Sequence, residues 1–396
     1  GRANMKNRGK LQIWIRCFVL MLITLTIVSC DHVGMDDKQL LLSGKEYLGK
    51  RDLRAASIEL RNALIKNPEN AEARYLLAQI YLEVGEAGAA QKEFKRASEF
   101  GWSREEAQLG LAEALVKQNK FQELFNEFIA EDSWSVTARA NLQGLRAAAA
   151  AGMQDHKQAQ LLLSQGEELQ ADAFHILKTR AQLQLLAGDV TEGQNTLATA
   201  LYKYPGNPEL LLLSANAKIQ ENNVAEGQEL LRRVIESEPP KLITAQGRRA
   251  RLDLTRLLIM ERSLDQAEQT LQPLFTRNEA DPEVNYYGGV LAFAQGKYDL
   301  SEQYLLKILK LAPGHRSTLL LIGSVSYSQG EYEQAAYYLE KYLTAKPGNI
   351  EARKLLGRAY MQVGRPGEAR AALRTTVTES TDDAELLAMV ALSELK

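Results

Sequence analysis

The sequence predicts an all-α protein built from about ten copies of one helix-turn-helix repeat. Three observations support this prediction. Strong helix formers such as Ala, Leu, Glu, Gln, Lys and Arg dominate the chain, whereas only 10 of its 396 residues are proline. Helix-like segments that end in proline recur along the chain, and two such prolines, Pro313 and Pro347, lie 34 residues apart. Small and large apolar residues also recur at fixed positions within this period, as they do in stacked helix pairs.

The internal pattern of the repeat is clearest in residues 71–104. Small residues at positions 8 and 20 let two helices approach closely, and larger residues at positions 7, 11 and 24 fill the layer between neighbouring repeats. Proline stops the second helix because it lacks the N–H that the next turn needs. With residue 71 as position 1, the residues that carry the pattern are Leu77, Ala78, Tyr81, Ala90, Phe94 and Ala97. This pattern resembles the tetratricopeptide repeat, and the resemblance implies a right-handed superhelical solenoid whose concave face comes mainly from the first helix of each repeat, helix A.

The same register divides the chain into two predicted arrays. Six repeats occupy 37–241, four occupy 248–383, and the extra residues 242–247 after Pro239-Pro240 are the predicted joint. Residues 384–396 are predicted to form a terminal helix that caps the last repeat. The third, fourth and seventh repeats depart most from the pattern, so their boundaries are open to shifts of several residues. The ten repeats are 37–70, 71–104, 105–138, 140–173, 174–207, 208–241, 248–281, 282–315, 316–349 and 350–383.

The residues before the first repeat have the order of a bacterial lipoprotein signal. Basic residues from Lys6 to Arg16 precede an apolar run over 17–28, which suits a secretory signal and is shorter than the ~20 residues that span a bilayer as a helix. The run ends in Ile-Val-Ser followed by Cys30, which resembles a lipobox. We therefore expect 1–29 to be a leader plus signal peptide, Cys30 to carry lipid and 30–36 to be a lipidated linker. An uncleaved signal anchor is the alternative.

The lipobox resemblance also implies a location. It places the protein in the bacterial cell envelope, facing the periplasm. In the enteric lipoproteins that the sequence resembles, an aspartate directly after the cysteine, here Asp31, favours the inner membrane; the outer membrane is the alternative. Removal of 1–29 would change the formal net charge from −2 to −7, because that segment holds five basic residues and no acidic one.

Composition and motif content argue against several functional classes. The balance of 48 basic and 50 acidic residues is unlike that of a nucleic-acid binder. Two cysteines and four scattered histidines have no metal-site spacing, and no Gly-rich phosphate loop or Gly-x-Ser-x-Gly element occurs. Carboxylates are expected on solvent-exposed helix faces. We therefore expect no enzymatic activity, no metal and no cofactor.

The binding candidates lie at positions 2, 5, 9 and 12 of helix A, on the predicted concave face. Tyr286, Phe293 and Tyr327 fall at these positions in the eighth and ninth repeats and form an aromatic stripe. Such a stripe can stack on sugar rings or hold an extended peptide. Packing of the same rings between repeats is the alternative. The other candidates at these positions are Tyr75, Gln79, Lys354 and Arg358.

The N-terminal third resembles a narrower group of repeat proteins. Residues 43–56, 59–64, 70–78 and 121–124 are similar to tetratricopeptide lipoproteins of the PEP-CTERM/exosortase system, which are usually longer arrays. The resemblance implies a non-catalytic, lipid-anchored envelope scaffold for protein partners of the exopolysaccharide or exosortase machinery. Polysaccharide is a second candidate ligand, the lipid anchor attaches the protein to the membrane, and no nucleic acid is expected. An adaptor for outer-membrane assembly or peptidoglycan enzymes is the alternative, and the neighbouring genes would distinguish the two.

Overall fold

The structure is a computed structural model that describes residues 35–128 and 133–377. The predictions for the signal peptide, Cys30 and the terminal helix 384–396 lie outside the described residues. Within those residues the chain forms 20 α-helices and no β-strand, and none of these helices is long and apolar enough to cross a bilayer. The helices are α1 (Asp37–Gly49), α2 (Leu53–Lys66), α3 (Ala71–Val84), α4 (Ala87–Glu99), α5 (Arg104–Lys117), α6 (Phe121–Glu127), α7 (Val136–Gly152), α8 (His156–Gln170), α9 (Phe174–Ala187), α10 (Val190–Lys203), α11 (Pro208–Gln220), α12 (Val224–Glu236), α13 (Ala245–Met260), α14 (Leu264–Arg277), α15 (Pro282–Ala294), α16 (Tyr298–Leu311), α17 (Arg316–Gln329), α18 (Tyr332–Ala345), α19 (Ile350–Gln362) and α20 (Pro366–Val377).

The chain divides into two compact units. The N-terminal unit comprises the described residues up to Thr179 together with Pro239–Leu242, and the C-terminal unit comprises Arg180–Glu238 and the residues from Ile243 onward. The largest core cluster of the N-terminal unit is built around Phe94 and Leu115. The C-terminal unit has core clusters around Leu257, around Leu305 and around Leu339.

Each odd-numbered helix is the helix A of a repeat, and the even-numbered helix that follows it completes the hairpin. Position 8 is small and buried throughout. Where it is glycine, the two helices touch closely: a Cβ added at Gly323 would lie 2.8 Å from the side chain of Leu339, at position 24 of the same repeat. The residues at position 8 are Gly44, Ala78, Ala112, Ala147, Ala181, Ala215, Thr255, Gly289, Gly323 and Gly357.

The turn inside each hairpin has the same backbone conformation in all ten repeats. Position 15 has a positive φ every time, between 58° and 86°. Five of these residues are glycine, which adopts this conformation without a Cβ penalty, and five are not. The third, fourth and seventh repeats, which depart most from the sequence pattern, share this turn conformation with the others. The residues are Arg51, Gly85, Asn119, Gln154, Gly188, Asn222, Arg262, Gly296, Gly330 and Gly364.

The connections between repeats follow from a short sequence pattern. Proline ends the second helix of a repeat, and an asparagine two residues later caps the next helix A. The Oδ1 atom of Asn70, for example, accepts a hydrogen bond of 3.0 Å from the N–H of Ala73, which satisfies one of the unpaired donors of the first turn. The pattern occurs at Pro68-Glu69-Asn70, Pro205-Gly206-Asn207 and Pro347-Gly348-Asn349.

The irregular repeats differ in helix length. In the third repeat α6 has only 7 residues, and position 20 is the large residue Leu124, which is fully buried. In the seventh repeat α13 begins at Ala245, inside the segment predicted as a joint. Its N-cap Thr244 accepts a hydrogen bond of 2.9 Å from the N–H of Gly247 through Oγ1, so the helix gains almost one turn over the usual repeat.

Candidate protein-binding surface

Tyr75 and Gln79, the candidates in the second repeat, form a local pair on α3. The Tyr75 ring stacks on Trp102 at 5.0 Å between centroids and meets Phe94 edge-on at 5.7 Å. Gln79 is exposed, and its Nε2 atom donates a hydrogen bond of 2.9 Å to Tyr75 Oη. Burial, with a smaller contribution from the charge of Glu106, raises the pKa of Tyr75 to about 12. Tyr75 therefore packs against rings of its own repeat and against the core cluster that continues into the next repeat, and Gln79 is the more exposed residue of this pair.

Lys354 and Arg358, the candidates in the tenth repeat, lie one turn apart on α19. Lys354 is only 6% exposed, and its Nζ atom lies 3.3 Å from the carboxylate of the exposed Glu351. Arg358 is half-buried. Lys354 thus gives a partner little area to contact, which sequence periodicity alone does not reveal.

The three rings of the aromatic stripe divide between two core clusters. Tyr286 and Phe293, both on α15, pack against the cluster that contains Leu305. Tyr327 packs against the cluster that contains Leu339, where its ring meets Tyr332 at 5.2 Å. All three rings are partly exposed. Each ring therefore contributes both to core packing and to the exposed surface, and truncating the ring removes both contributions.

Tyr286 lies in a polar setting on the solvent side. Its ring is 6.2 Å from His315 and 5.9 Å from Tyr287, edge-on in both cases. Burial raises the pKa of Tyr286, and a hydrogen bond with Ser317 opposes that rise. The phenol is thus already engaged and stays protonated at neutral pH.

Phe293 lines an open pocket at the point where α13 and α15 end. The pocket has a volume of about 630 Å³. Its floor is apolar and consists of Ile259 from α13 together with Val290, Phe293 and Ala294 from α15. Ile259 and Phe293 both occupy position 12, because adjacent helices A place equal positions side by side. Tyr298 closes one side, with its ring 5.7 Å from that of Phe293.

The rim of this pocket is exposed and carries a positive charge. Met260 is 70% exposed, and Arg262 is the turn residue of the seventh repeat with a φ of 64°. None of the residues that line the pocket is acidic. One turn before the rim, Arg256 directs Nη1 toward Met260 Sδ at 3.8 Å, and no described carboxylate lies within salt-bridge distance of it.

The other end of the same two helices is charged on both sides. Arg248 pairs with Asp281 at 2.8 Å and with Glu283 at 2.9 Å. Arg249 pairs with Asp253 at 2.9 Å and with Glu283 at 3.4 Å. These contacts join the start of α13 to the start of α15, so opposite charges compensate each other there. At the pocket end, by contrast, Arg256 and Arg262 pair with no described carboxylate.

Asp253 in this network corrects the expectation that carboxylates lie on solvent-exposed faces. Asp253 is 2% exposed, and Glu59 in the first repeat is 5% exposed. Burial of a carboxylate is tolerated when it is paired and hydrogen-bonded, and the spacing of Arg249 and Asp253, four residues apart on one helix, was the available signal. The described residues contain no group of three or more His, Cys, Asp and Glu side chains that could hold a metal ion.

Two family models described as tetratricopeptide repeat match the chain. One matches residues 47–101, 184–246 and 326–392, and the other matches 252–316 and 288–350, so together they cover more than half of the sequence. The chain belongs to the tetratricopeptide-repeat family. This confirms the family and the fold class predicted from the sequence. Tetratricopeptide repeats bind protein partners and generally serve as non-catalytic interaction scaffolds.

Solved structures similar to this tetratricopeptide-repeat protein share little sequence with it. The APC/C hetero-tetramer Cut9–Hcn1 is 13% identical over 93% of this chain and 99% of that chain, with a TM-score of 0.45. A tetratricopeptide repeat protein from Parabacteroides merdae is 14% identical over 65% and 99%, with a TM-score of 0.48. PilW, a type IV pilus biogenesis factor, is 16% identical over 56% and 99%, with a TM-score of 0.49. Comparison with curated proteins gives no match.

Proposed function

We propose that this tetratricopeptide-repeat protein is a lipid-anchored adaptor of the bacterial envelope, which holds protein partners on the helix-A surface of its C-terminal unit. The observation that carries the proposal is the lipobox-like sequence ending at Cys30, only a few residues ahead of the first repeat. A signal of this type delivers the repeats to the periplasmic side of a membrane, where Asp31 favours the inner membrane.

The short linker would keep the repeats close to the membrane. Asp36, the N-cap of α1, lies six positions after Cys30, and a fully extended chain spans at most about 3.3–3.6 Å per residue. The first repeat would then begin within roughly 20 Å of the lipid-bearing cysteine. Stable anchoring needs more than one acyl chain, as a multiply acylated cysteine provides.

The partner side of the proposal rests on the C-terminal unit. There, the helix-A surface offers an open pocket with an apolar floor, next to arginines that pair with no described carboxylate. Apolar anchors surrounded by charged positions are typical of protein-binding surfaces. The resemblance of residues 43–56, 59–64, 70–78 and 121–124 to lipoproteins of the PEP-CTERM/exosortase system favours partners from exopolysaccharide biosynthesis and export or from PEP-CTERM protein sorting.

Lipidation is tested by substituting the two cysteines separately. Cys30→Ala should leave an unprocessed precursor that takes up no labelled palmitate, whereas Cys17→Ala, within the signal, should still be processed and labelled. Uptake of palmitate by the Cys30→Ala chain would refute the anchor.

The partners are tested by crosslinking intact membranes that carry the full chain and identifying the captured proteins by mass spectrometry. Proteins of the exopolysaccharide or exosortase machinery are expected. Capture of outer-membrane assembly or peptidoglycan enzymes instead would refute this pathway.

A further inference from the structure

The pocket at the ends of α13 and α15 is large enough to receive a large apolar side chain together with the residues next to it. Its floor is made of Ile259, Val290 and Phe293, which expose apolar area that packing within the repeats leaves uncovered. The volume of about 630 Å³ falls in the range of ligand pockets, which is roughly 300–1,000 Å³. An apolar side chain that enters the pocket removes this area from water and is thereby bound.

The charges around the pocket determine which residues of a bound segment can lie next to that side chain. Arg262 lies on the rim, and Arg256 lies one turn earlier on the same helix; neither is paired with a described carboxylate. The nearby Lys297 is already paired with Glu268 at 3.7 Å. Guanidinium groups bind carboxylates through two parallel hydrogen bonds, so this rim favours an acidic neighbour.

The shape of the floor favours a peptide over a sugar ring. Sugar rings stack on flat aromatic faces, whereas here two of the floor residues are the aliphatic Ile259 and Val290, and the Phe293 ring is tilted by 48° against Tyr298. We propose that this pocket binds a segment of the partner protein that carries a large apolar side chain within two residues of an Asp or Glu. This proposal rests on the proposed function, since it names the chemistry of the partner at that surface.

The test uses random 12-residue peptides displayed on phage and selected on the purified full chain in detergent. Enriched peptides should carry a large apolar residue within two positions of Asp or Glu. In fluorescence polarisation, replacing that acid by Lys or the apolar residue by Ala should weaken binding at least tenfold. Enrichment of peptides without an acid next to the apolar residue would overturn the proposal.

Three exposed positions in the chain give variants that do not disturb the core. Arg262→Gln should weaken binding of the selected peptides about tenfold, because it removes the rim charge. The matched control is Gln154→Glu, which shifts the net charge by the same amount at the same turn position of the fourth repeat and should bind normally. Met260→Asp should also weaken binding, because it places a negative charge beside the acid of the peptide. Equal affinity of Arg262→Gln and Gln154→Glu would overturn the proposal.

Other occupants of the pocket would give different results. Glycan-array binding that is lost in Met260→Asp, without any peptide enrichment, would overturn the proposal in favour of a sugar. A dimer of the full chain that dissociates in Arg262→Gln would overturn it in favour of a second copy. If membrane crosslinking of Arg262→Gln captures the same envelope partners in the same yield, the pocket proposal fails while the adaptor function stands. If Cys30 carries no lipid, the lipid-anchored adaptor function fails while the pocket proposal stands.

Discussion

Replacement of Gly330 tests whether the turn at position 15 determines the stability of a repeat. Gly330 has a φ of 83°, and a Cβ added there would meet nothing within 4 Å, so any cost of Gly330→Ala is conformational rather than steric. An L-residue in the left-handed region costs roughly 1–2 kcal/mol. The lower entropy of the unfolded chain offsets roughly 0.4–1 kcal/mol of this cost. The net expectation is a loss of about 1 kcal/mol.

Gly348 provides the matched control. It lies in the connection after α18, it is also open to solvent, and its φ is outside the positive region. Gly348→Ala should therefore stabilise the protein by roughly 0.4–1 kcal/mol through the unfolded chain alone. The two variants should differ by about 1–2 kcal/mol, which is the conformational cost itself.

The assay is urea unfolding followed by far-ultraviolet circular dichroism, with amide hydrogen exchange of α17 and α18 as a local measurement. The local measurement is needed because repeat arrays can unfold in parts. Faster exchange near Gly330, where its N–H bonds to the carbonyl of Tyr327 at 3.1 Å, should accompany the loss. Equal shifts in the two variants would refute the assignment of strain to the turn.

Three further predictions follow from buried contacts. Ala78→Leu should overpack a fully buried helix contact and lower the free energy of unfolding by about 1–3 kcal/mol in urea melts. Lys92→Leu, on an exposed face, should lower it by less than about 0.5 kcal/mol, and equal losses would contradict the repeat register. Glu93→Ala should cost about 3 kcal/mol, since it leaves the 6% exposed Arg74 buried without its 2.5 Å partner, and a neutral result would refute this. Because burial raises the pKa of Tyr75 to about 12 in the folded state, its contribution to stability is complete below about pH 10 and is lost between about pH 10 and 12. In Tyr75→Phe the urea midpoint should therefore change less with pH over that range than in the unchanged protein. An equal pH dependence of the two midpoints would argue against this role of Tyr75.

The fold was predictable because its determinants repeat. Small residues at position 8 recur in every repeat, and proline follows several of the hairpins, which is enough to set the register even where single repeats depart from the pattern. Gln154 and Arg262 show the strength of this effect. Neither residue favours a positive φ, yet both adopt it, because the packing of the two helices fixes the turn between them.

The binding surface was predictable only in part. Periodicity places Phe293 on the solvent side of helix A, and in the structure Phe293 forms part of the floor of a pocket. Periodicity gives no information on Met260 and Arg262, which line the pocket from a helix end and a turn. The burial of Lys354 was missed for a related reason. The position of a residue within a repeat specifies on which face of the helix its side chain lies, whereas burial also depends on the size of the neighbouring side chains.

The glycine and leucine contact of the last repeats has a consequence for modularity. The eighth, ninth and tenth repeats all place glycine at position 8 against leucine at position 24, with 2.8–2.9 Å between the added Cβ and the leucine side chain, and all have glycine at position 15. Three consecutive hairpins therefore share the same internal contact and the same turn. A whole hairpin of 34 residues could be duplicated or deleted here while the remaining hairpins keep these features. The reach of the chain could in this way change by whole repeats, through recombination rather than through point substitution.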